Sequence, residues 1–319
     1  MTIHTNNSVF VIAEAGVNHN GSIELAENLV RAAAASGADA VKFQTFRARN
    51  VVTKHAEKAE YQKLLTQEES QLQMLEALEL PFGEHKELIK LCNRLDIQFL
   101  STAFDSESLS FLSGVLNLPV LKIPSGELTN GPLLLEYAKS GCDLIVSTGM
   151  ADLDEIREAL GVLAFGMTQG AVPNRRNFME AYQSVLGREK LHERVTLLQC
   201  TTDYPTRPED VNLRAMETMR KEFSLPVGLS DHTEGITAAL SAVALGSVVI
   251  EKHLTLDRSL PGPDQRASIE PTEFTEMVEG IRQVTKMLGD GFKKPSVGEK
   301  ANIPIVRKSL VAAMKIHDG

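Results

Sequence analysis

The chain has 319 residues, 43% of them hydrophobic and 24% charged, with 22 glycines, enough for one domain of about 250 residues plus an appendage or for two ordinary domains. A net charge of −9 and a pI near 5.5 argue against a nucleic-acid or anionic-membrane surface while leaving room for a local basic pocket. Cys92, Cys142 and Cys200 are far apart with no CxxC pair, and no stretch reaches the roughly 18 apolar residues of a membrane span. Disulfide frameworks, thiolate zinc sites, secretion and membrane insertion are therefore unsupported, and a reduced cytoplasmic home is expected.

Short apolar runs alternate with longer segments of helical period, the pattern of repeated βα units on a parallel sheet. Strands are expected at Val9–Ala13, Ala40–Gln44, Gln98–Ser101, Val120–Ile123, Leu144–Ser147, Thr196–Cys200, Val227–Leu229 and Val248–Lys252. Helices are expected at about Ile23–Ser36, Glu84–Leu95, Glu107–Leu116, Pro132–Ser140, Leu153–Phe165, Leu213–Phe223, Ile236–Leu245 and Thr272–Leu288. Eight of each predict an α/β fold, a (β/α)8 TIM barrel over residues 1–288. A doubly wound sheet would also alternate, but "AEAGVNHNGS" after the first strand lacks GxGxxG spacing. Two polar, partly helical insertions, at about 47–80 and 166–194, are expected to overhang a rim. Residues 289–305 read as a Pro/Gly/Lys linker, and 306–319 as the first strand of a further unit.

In such a barrel the catalytic groups belong where strands end, because the interior is packed and the C-terminal face is open. Nearly every expected strand ends polar: Glu14, Lys42 with Gln44, Thr102, Lys122 before "PSGE", Ser147 in "STGM", Thr202 and Tyr204 in "CTTDYP", then "SDHT" and "EKHLT". Alternation puts Lys42 with Gln44 on one face and Glu251 with His253 on another, leaving Lys252 to a structural role. Lys42 and Lys122 are either rim ion-pair partners or, with the hydroxyls of Thr102, Ser125 and Ser147 and the amides of "PSG" and "TG", a nest for a phosphate dianion. His232 and His253, at the ends of neighbouring strands, are close enough to share one divalent ion. Two neutral ligands leave that ion charge enough to polarise a carbonyl. Asp231 and Glu251 are candidates to orient the imidazoles or bind substrate. Glu14 and Glu127 are the candidate acid/base carboxylates. "NHNGS" reads as a turn with Ser22 as N-cap. Asp264 in "PGPDQ" would hold ligand hydroxyls or cap a turn.

Together, "IAEAGVNHNGS", "VKFQTF", "LKIPSGEL", "STGM", "CTTDYPT", "GLSDHT", "EKHLTLDR" and "PGPD" resemble the sialic acid synthase family, the nonulosonate synthases that condense phosphoenolpyruvate with an N-acylated mannosamine-type sugar. The resemblance runs in order across about 9–290. It implies that Lys42, Thr102, Lys122, Ser125, Ser147 and Thr202 hold phosphoenolpyruvate and that His232 and His253 hold a divalent ion, manganese expected and magnesium the alternative. It also places Glu14, Gln44, Tyr204, Glu251 and Asp264 against the sugar, with Glu127 near the reacting carbons. Thr202 stands where a sialic acid synthase often has Asn, and Leu254 where an aromatic is frequent. Those two departures bear on specificity rather than chemistry, while the 166–194 insertion and "CTTDYP" look more like the legionaminic acid branch, whose sugar is a 2,4-diacetamido-2,4,6-trideoxymannose rather than N-acetylmannosamine. Family members continue into a small antifreeze-like (SAF) domain, swapped across a homodimer, that supplies an arginine to the partner's sugar site. "VRKSLVAAMKIHDG" resembles only its first strand, so that arginine would be missing from a chain ending at Gly319.

Three other readings stay open at this level. Another phosphoenolpyruvate-condensing enzyme would make a 3-deoxy sugar acid from a phosphorylated sugar. A Schiff-base aldolase would use Lys42 or Lys122 and ignore chelators. A barrel that binds sugar without turnover is the third.

Overall fold

The computed structural model describes residues 8–54, 56, 58, 70–169 and 172–318. Eight parallel strands close into a barrel in chain order: β1 (Phe10–Gly16), β2 (Ala40–Thr45), β3 (Gln98–Ala103), β4 (Val120–Ile123), β5 (Asp143–Ser147), β6 (Val195–Cys200), β7 (Val227–Asp231) and β8 (Val249–His253). Glu14 on β1 sits in register with Lys42 on β2 and with His253 on β8, where the barrel closes.

Alternation along the strands builds the interior in layers. Ile12, Ala40, Leu100, Val120, Ile145, Leu198 and Val249 form a lower apolar layer with a core of its own. At the equivalent place on β7 stands Gly228, where an added Cβ would lie 2.4 Å from the Val249 carbonyl oxygen, so only glycine lets these strands approach. Two residues further along, the same faces carry Glu14, Lys42, Thr102, Lys122, Ser147, Cys200, Ser230 and Glu251, all buried. The opposite strand faces pack under the helices in a second, continuous core. Tyr137, on the helix Gly131–Lys139, accepts from the Ala103 N–H at 3.0 Å, and its hydroxyl lies 2.7 and 2.9 Å from the Ala103 and Lys122 carbonyls. It thereby ties β3 to β4.

The expected barrel and helices are present, with three differences. Several strands run past their expected ends: β1 reaches Gly16 and β7 reaches Asp231, because extended pairing continues through polar residues that read as loop. The expected helix over 107–116 is α-helical at Ser106–Ser110 and becomes a π-turn at Phe111–Val115. Of the two insertions, only the first overhangs the mouth, through the helix Gln71–Leu78, whose Met74 and Leu78 pack on Val17 and Phe46; residues 59–69 lie outside the described residues. The second forms helices Arg175–Gln183 and Val185–Arg194 that clad the barrel's flank. Phe178 stacks edge-on against Phe165, 5.1 Å between centroids, and with Ala181, Tyr182 and buried Leu191 packs on the barrel's helical layer, so a few apolar side chains seat an otherwise charged segment there.

The helix Pro271–Leu288 completes the barrel, followed by two single-turn helices, Val297–Lys300 and Ile303–Val306. Residues 307–318 carry no strand, and Leu310, Val311, Met314 and Ile316 are exposed. Among the described residues no helix is long and apolar enough to cross a membrane.

Candidate active site

The polar layer places two lysines against two carboxylates out of contact with solvent. Lys42 Nζ lies 2.5 Å from Glu14 Oε2 and 3.6 Å from Glu251 Oε2, while Lys122 Nζ lies 2.8 Å from Glu251 Oε1. Ser230 Oγ donates to that same Glu251 oxygen at 2.8 Å, and Lys42 donates to Thr102 Oγ1 at 3.1 Å. Each of the four charged residues is 2–4% exposed.

Their protonation diverges accordingly. Burial lifts the Glu14 carboxyl to about 7 against the pull of Lys42, with the charge of Glu251 adding to the rise. Burial opposes ionisation of Glu251 too, but the charges of Lys122 and Lys42 and the hydrogen bonds from Lys122 and Ser230 hold it well below the usual carboxylate range. Lys42 stays above its usual range despite burial because Glu14 and Glu251 face it. Two lysines thus meet one firmly ionised carboxylate and one carboxyl poised near neutrality, which leaves positive charge for an anion.

A shelf of hydroxyls borders the lysines. Ser125 Oγ accepts from the Gly149 N–H at 3.0 Å, and an added Cβ at Gly149 would lie 2.4 Å from Thr202 Oγ1, so glycine is what lets the "STGM" turn approach both hydroxyls. Ser147 Oγ is buried with no hydrogen-bond partner among the described residues. An orphaned donor beside two lysines suits a phosphate or carboxylate oxygen.

On the other side, the rings of His232 and His253 have centroids 5.4 Å apart, and Tyr204 lies 4.2 Å from the His232 ring. His232 Nδ1 donates to the Thr201 carbonyl at 2.7 Å, which directs the Nε2 lone pair to the cavity. Burial, then the charges of His232 and Lys42, hold the His253 imidazole neutral, well below its usual range. Its buried Nδ1 has no hydrogen-bond partner among the described residues, and Asp264 Oδ2 lies 3.9 Å away. Burial raises Asp264 to about 6, against the charges of His232 and Lys42. Burial lowers the His232 imidazole, but Cys200, the Thr201 carbonyl and the charge of Glu251 raise it above its usual range, so a divalent ion held by the two imidazoles would displace the His232 proton. Among the described residues no set of three protein donors converges, so such an ion would keep most of its positions for water or substrate.

One cavity of about 230 Å³ is lined by every expected site residue except Glu127 and Asp231. Glu127 ends the 3-10 turn Ser125–Glu127, where Ser125 takes the inward position, and its Oε2 accepts from Asn130 Nδ2 at 2.7 Å. The structure does not bring it to the others. Asp231 is likewise no partner of the imidazoles: one residue before His232, it points to the outer face. There its carboxylate accepts from Lys252 Nζ at 2.9 Å and from the Thr233 amide and hydroxyl. Lys252, as alternation implies, is that buried pair's cation.

Two roles were not assigned from the sequence. Ser230 orients Glu251, a role that period-two spacing from Gly228 would have suggested. "NHNGS" does more than start a helix: Ser22 caps Ile23–Ala35, while Asn18 Nδ2 donates to the Leu254 carbonyl and Ser268 Oγ, and Asn20 Nδ2 donates to the Pro261 carbonyl. The first loop thereby pins the loop that carries Asp264.

The NeuB family profile matches residues 29–293. The chain is 50% identical to the N,N'-diacetyllegionaminic acid synthase of Campylobacter jejuni, over 97% of this chain and 86% of that protein. It is 49% identical to the enzyme of the same name from Legionella pneumophila, over 97% and 82%. Its fold matches the N-acetylneuraminic acid (sialic acid) synthetase of Leptospira borgpetersenii with a TM-score of 0.76 at 30% identity, covering 96% and 95%. With those motifs at the mouth of this barrel, the chain belongs to the NeuB family, the sialic acid synthase family that its sequence resembles.

Proposed function

We infer that this protein is a nonulosonic acid synthase that condenses phosphoenolpyruvate with an N-acylated mannosamine-type sugar, 2,4-diacetamido-2,4,6-trideoxymannose before N-acetylmannosamine. The observation that carries this reading is the meeting, in one cavity, of a two-lysine anion cluster with a pair of adjacent histidines. The choice of sugar is supported by 50% and 49% identity to two proteins named for the diacetylated product.

Lys42 and Lys122, with Thr102, Ser125, Ser147 and Thr202, hold the phosphate and carboxylate of phosphoenolpyruvate; Gln44, Tyr204, Glu251 and Asp264 hold the open-chain sugar. A divalent ion, manganese in this proposal, held by His232 and His253, would polarise the sugar's aldehyde oxygen. The chain's own groups place the alkene carbon of phosphoenolpyruvate against the aldehyde carbon. Glu14, about half protonated near pH 7, delivers a proton to the former aldehyde oxygen. Water then adds at C2, giving up its proton to the Glu14 carboxylate left by the first step, and phosphate leaves with cleavage of the C–O bond. Glu127, outside the cavity, has no step here.

We place the synthase in the cytoplasm as a homodimer. Residues 289–305 act as a linker, and the exposed Leu310, Val311, Met314 and Ile316 open an antifreeze-like unit. Three free, buried cysteines fit a reducing compartment.

Phosphoenolpyruvate labelled with ¹⁸O at the bridging oxygen tests the chemistry. Label recovered in inorganic phosphate supports C–O cleavage. Label left in the sugar acid, or borohydride trapping of a lysine imine with pyruvate, overturns it in favour of P–O cleavage or an aldolase.

A further inference from the structure

The mouth of the barrel carries an apolar wall that the chemistry above leaves unused. Val17, Phe46, Met74, Leu75, Leu78 and Phe104 pack as a cluster separate from both barrel cores. Three of them continue the strands of the polar layer: Val17 follows Glu14, Phe46 follows Gln44 and Phe104 follows Thr102. The rest come from the helix Gln71–Leu78. All but Phe46 line the same cavity as Glu14 and Gln44. Leu75 and Phe104 remain half-buried, so apolar surface faces the ligand space. The facing side, with His232, His253 and Asp264, is polar. A cavity so divided suits a ligand with one polar and one apolar edge.

We propose that this wall is the specificity determinant of the site, selecting N-acylated mannosamine substrates that carry a 6-methyl group over those with a 6-hydroxyl, with Leu75 and Phe104 as the contact residues. The inference rests on the synthase reading above. The wall's side chains have neither donors nor acceptors. A 6-hydroxyl pressed against them gives up its water without replacement, whereas a methyl loses nothing polar. One methylene's difference in a hydrophobic pocket is worth about 10- to 200-fold in kcat/KM, although rejection of an added hydroxyl sits toward the lower part of that scale.

The test compares kcat/KM for N-acetylmannosamine, its 6-deoxy analogue and 2,4-diacetamido-2,4,6-trideoxymannose, on the full chain with phosphoenolpyruvate and manganese, in the unvaried protein and in Leu75→Asn. The 6-deoxy sugar is expected to exceed N-acetylmannosamine by about tenfold or more. Leu75→Asn narrows that ratio, chiefly through the sugar KM. Parity of the two sugars in the unvaried protein, or a ratio that Leu75→Asn leaves in place, overturns the wall while the synthase reading stands. Turnover of none of the three sugars overturns the synthase reading and the wall with it. The comparison of sugars on the unvaried protein decides the matter even where Leu75→Asn does not fold.

Discussion

Replacing Glu251 with alanine exposes the energetics of the buried charge cluster. Glu251 is 4% exposed and is the one firmly ionised carboxylate between Lys122, at 2.8 Å, and Lys42, at 3.6 Å. Without it, Lys122 loses its carboxylate, and Lys42 keeps only Glu14, itself raised to about 7 and so partly protonated at neutral pH. Removing one partner of a buried pair destabilises by about 3–5 kcal/mol, against a total stability on the order of 5–15 kcal/mol. At about 1.5 °C per kcal/mol for a chain of this length, the melting temperature falls by roughly 4–8 °C. Urea unfolding measures the loss as a shift in midpoint at constant slope. The orphaned lysines also make a directional prediction: millimolar inorganic phosphate raises the Tm of Glu251→Ala more than that of the unvaried protein, because the anion no longer competes with a carboxylate. A loss under about 1 kcal/mol, with equal phosphate shifts in both proteins, would refute the idea of a dry, mutually dependent cluster.

Other consequences follow from single contacts. Lys252→Met leaves the Asp231 carboxylate buried and unpaired and lowers stability by about 3–5 kcal/mol; adding Asp231→Leu restores part of the loss, which a double-mutant cycle by denaturant titration detects. Tyr137→Phe strands the Ala103 N–H and removes the one O–H shared between the Ala103 and Lys122 carbonyls at about 1–3 kcal/mol, readable as a Tm shift. His19, buried and accepting from the Gly21 N–H through Nδ1, is held down at about 4 by burial and then by the charge of His85. Its folded value lies below the unfolded 6.5, so its contribution is intact above pH 6.5, is lost as pH falls towards 4, and is constant below that. The full span is about 3 kcal/mol. Urea titrations across that window flatten in His19→Gln, and an unchanged slope would show that His19 is solvated in the folded state.

How much of this was legible follows from what each segment buries. The barrel strands are covered on both faces, so they read as short apolar runs whatever their order, and their polar ends announced the mouth. Alternation was enough to send Lys252 outward, and the same rule applied to Asp231 would have separated it from the imidazoles beside it. The direction of Glu127 was not legible because a 3-10 turn lacks strand alternation, so neighbours of Ser125 need not share its direction. The seating of the second insertion depends on Phe178 and Leu191 finding the flank of the helix Leu153–Met167, a tertiary fact that no local period encodes. The clasp from Asn18 and Asn20 to the loop around Asp264 spans more than 230 positions, beyond the reach of spacing arguments.

The central claim is that the two-histidine site and the two-lysine cluster serve one condensation. The most direct measurement is phosphate release from phosphoenolpyruvate with N-acetylmannosamine or 2,4-diacetamido-2,4,6-trideoxymannose, before and after EDTA and manganese readdition, and for His232→Ala. The account predicts release that needs sugar and metal together, faster with the diacetamido sugar, and at least a hundredfold lower in His232→Ala, on the order of the loss when a metal site is disrupted. Release that ignores EDTA, or no release from protein that still binds phosphoenolpyruvate, would contradict it.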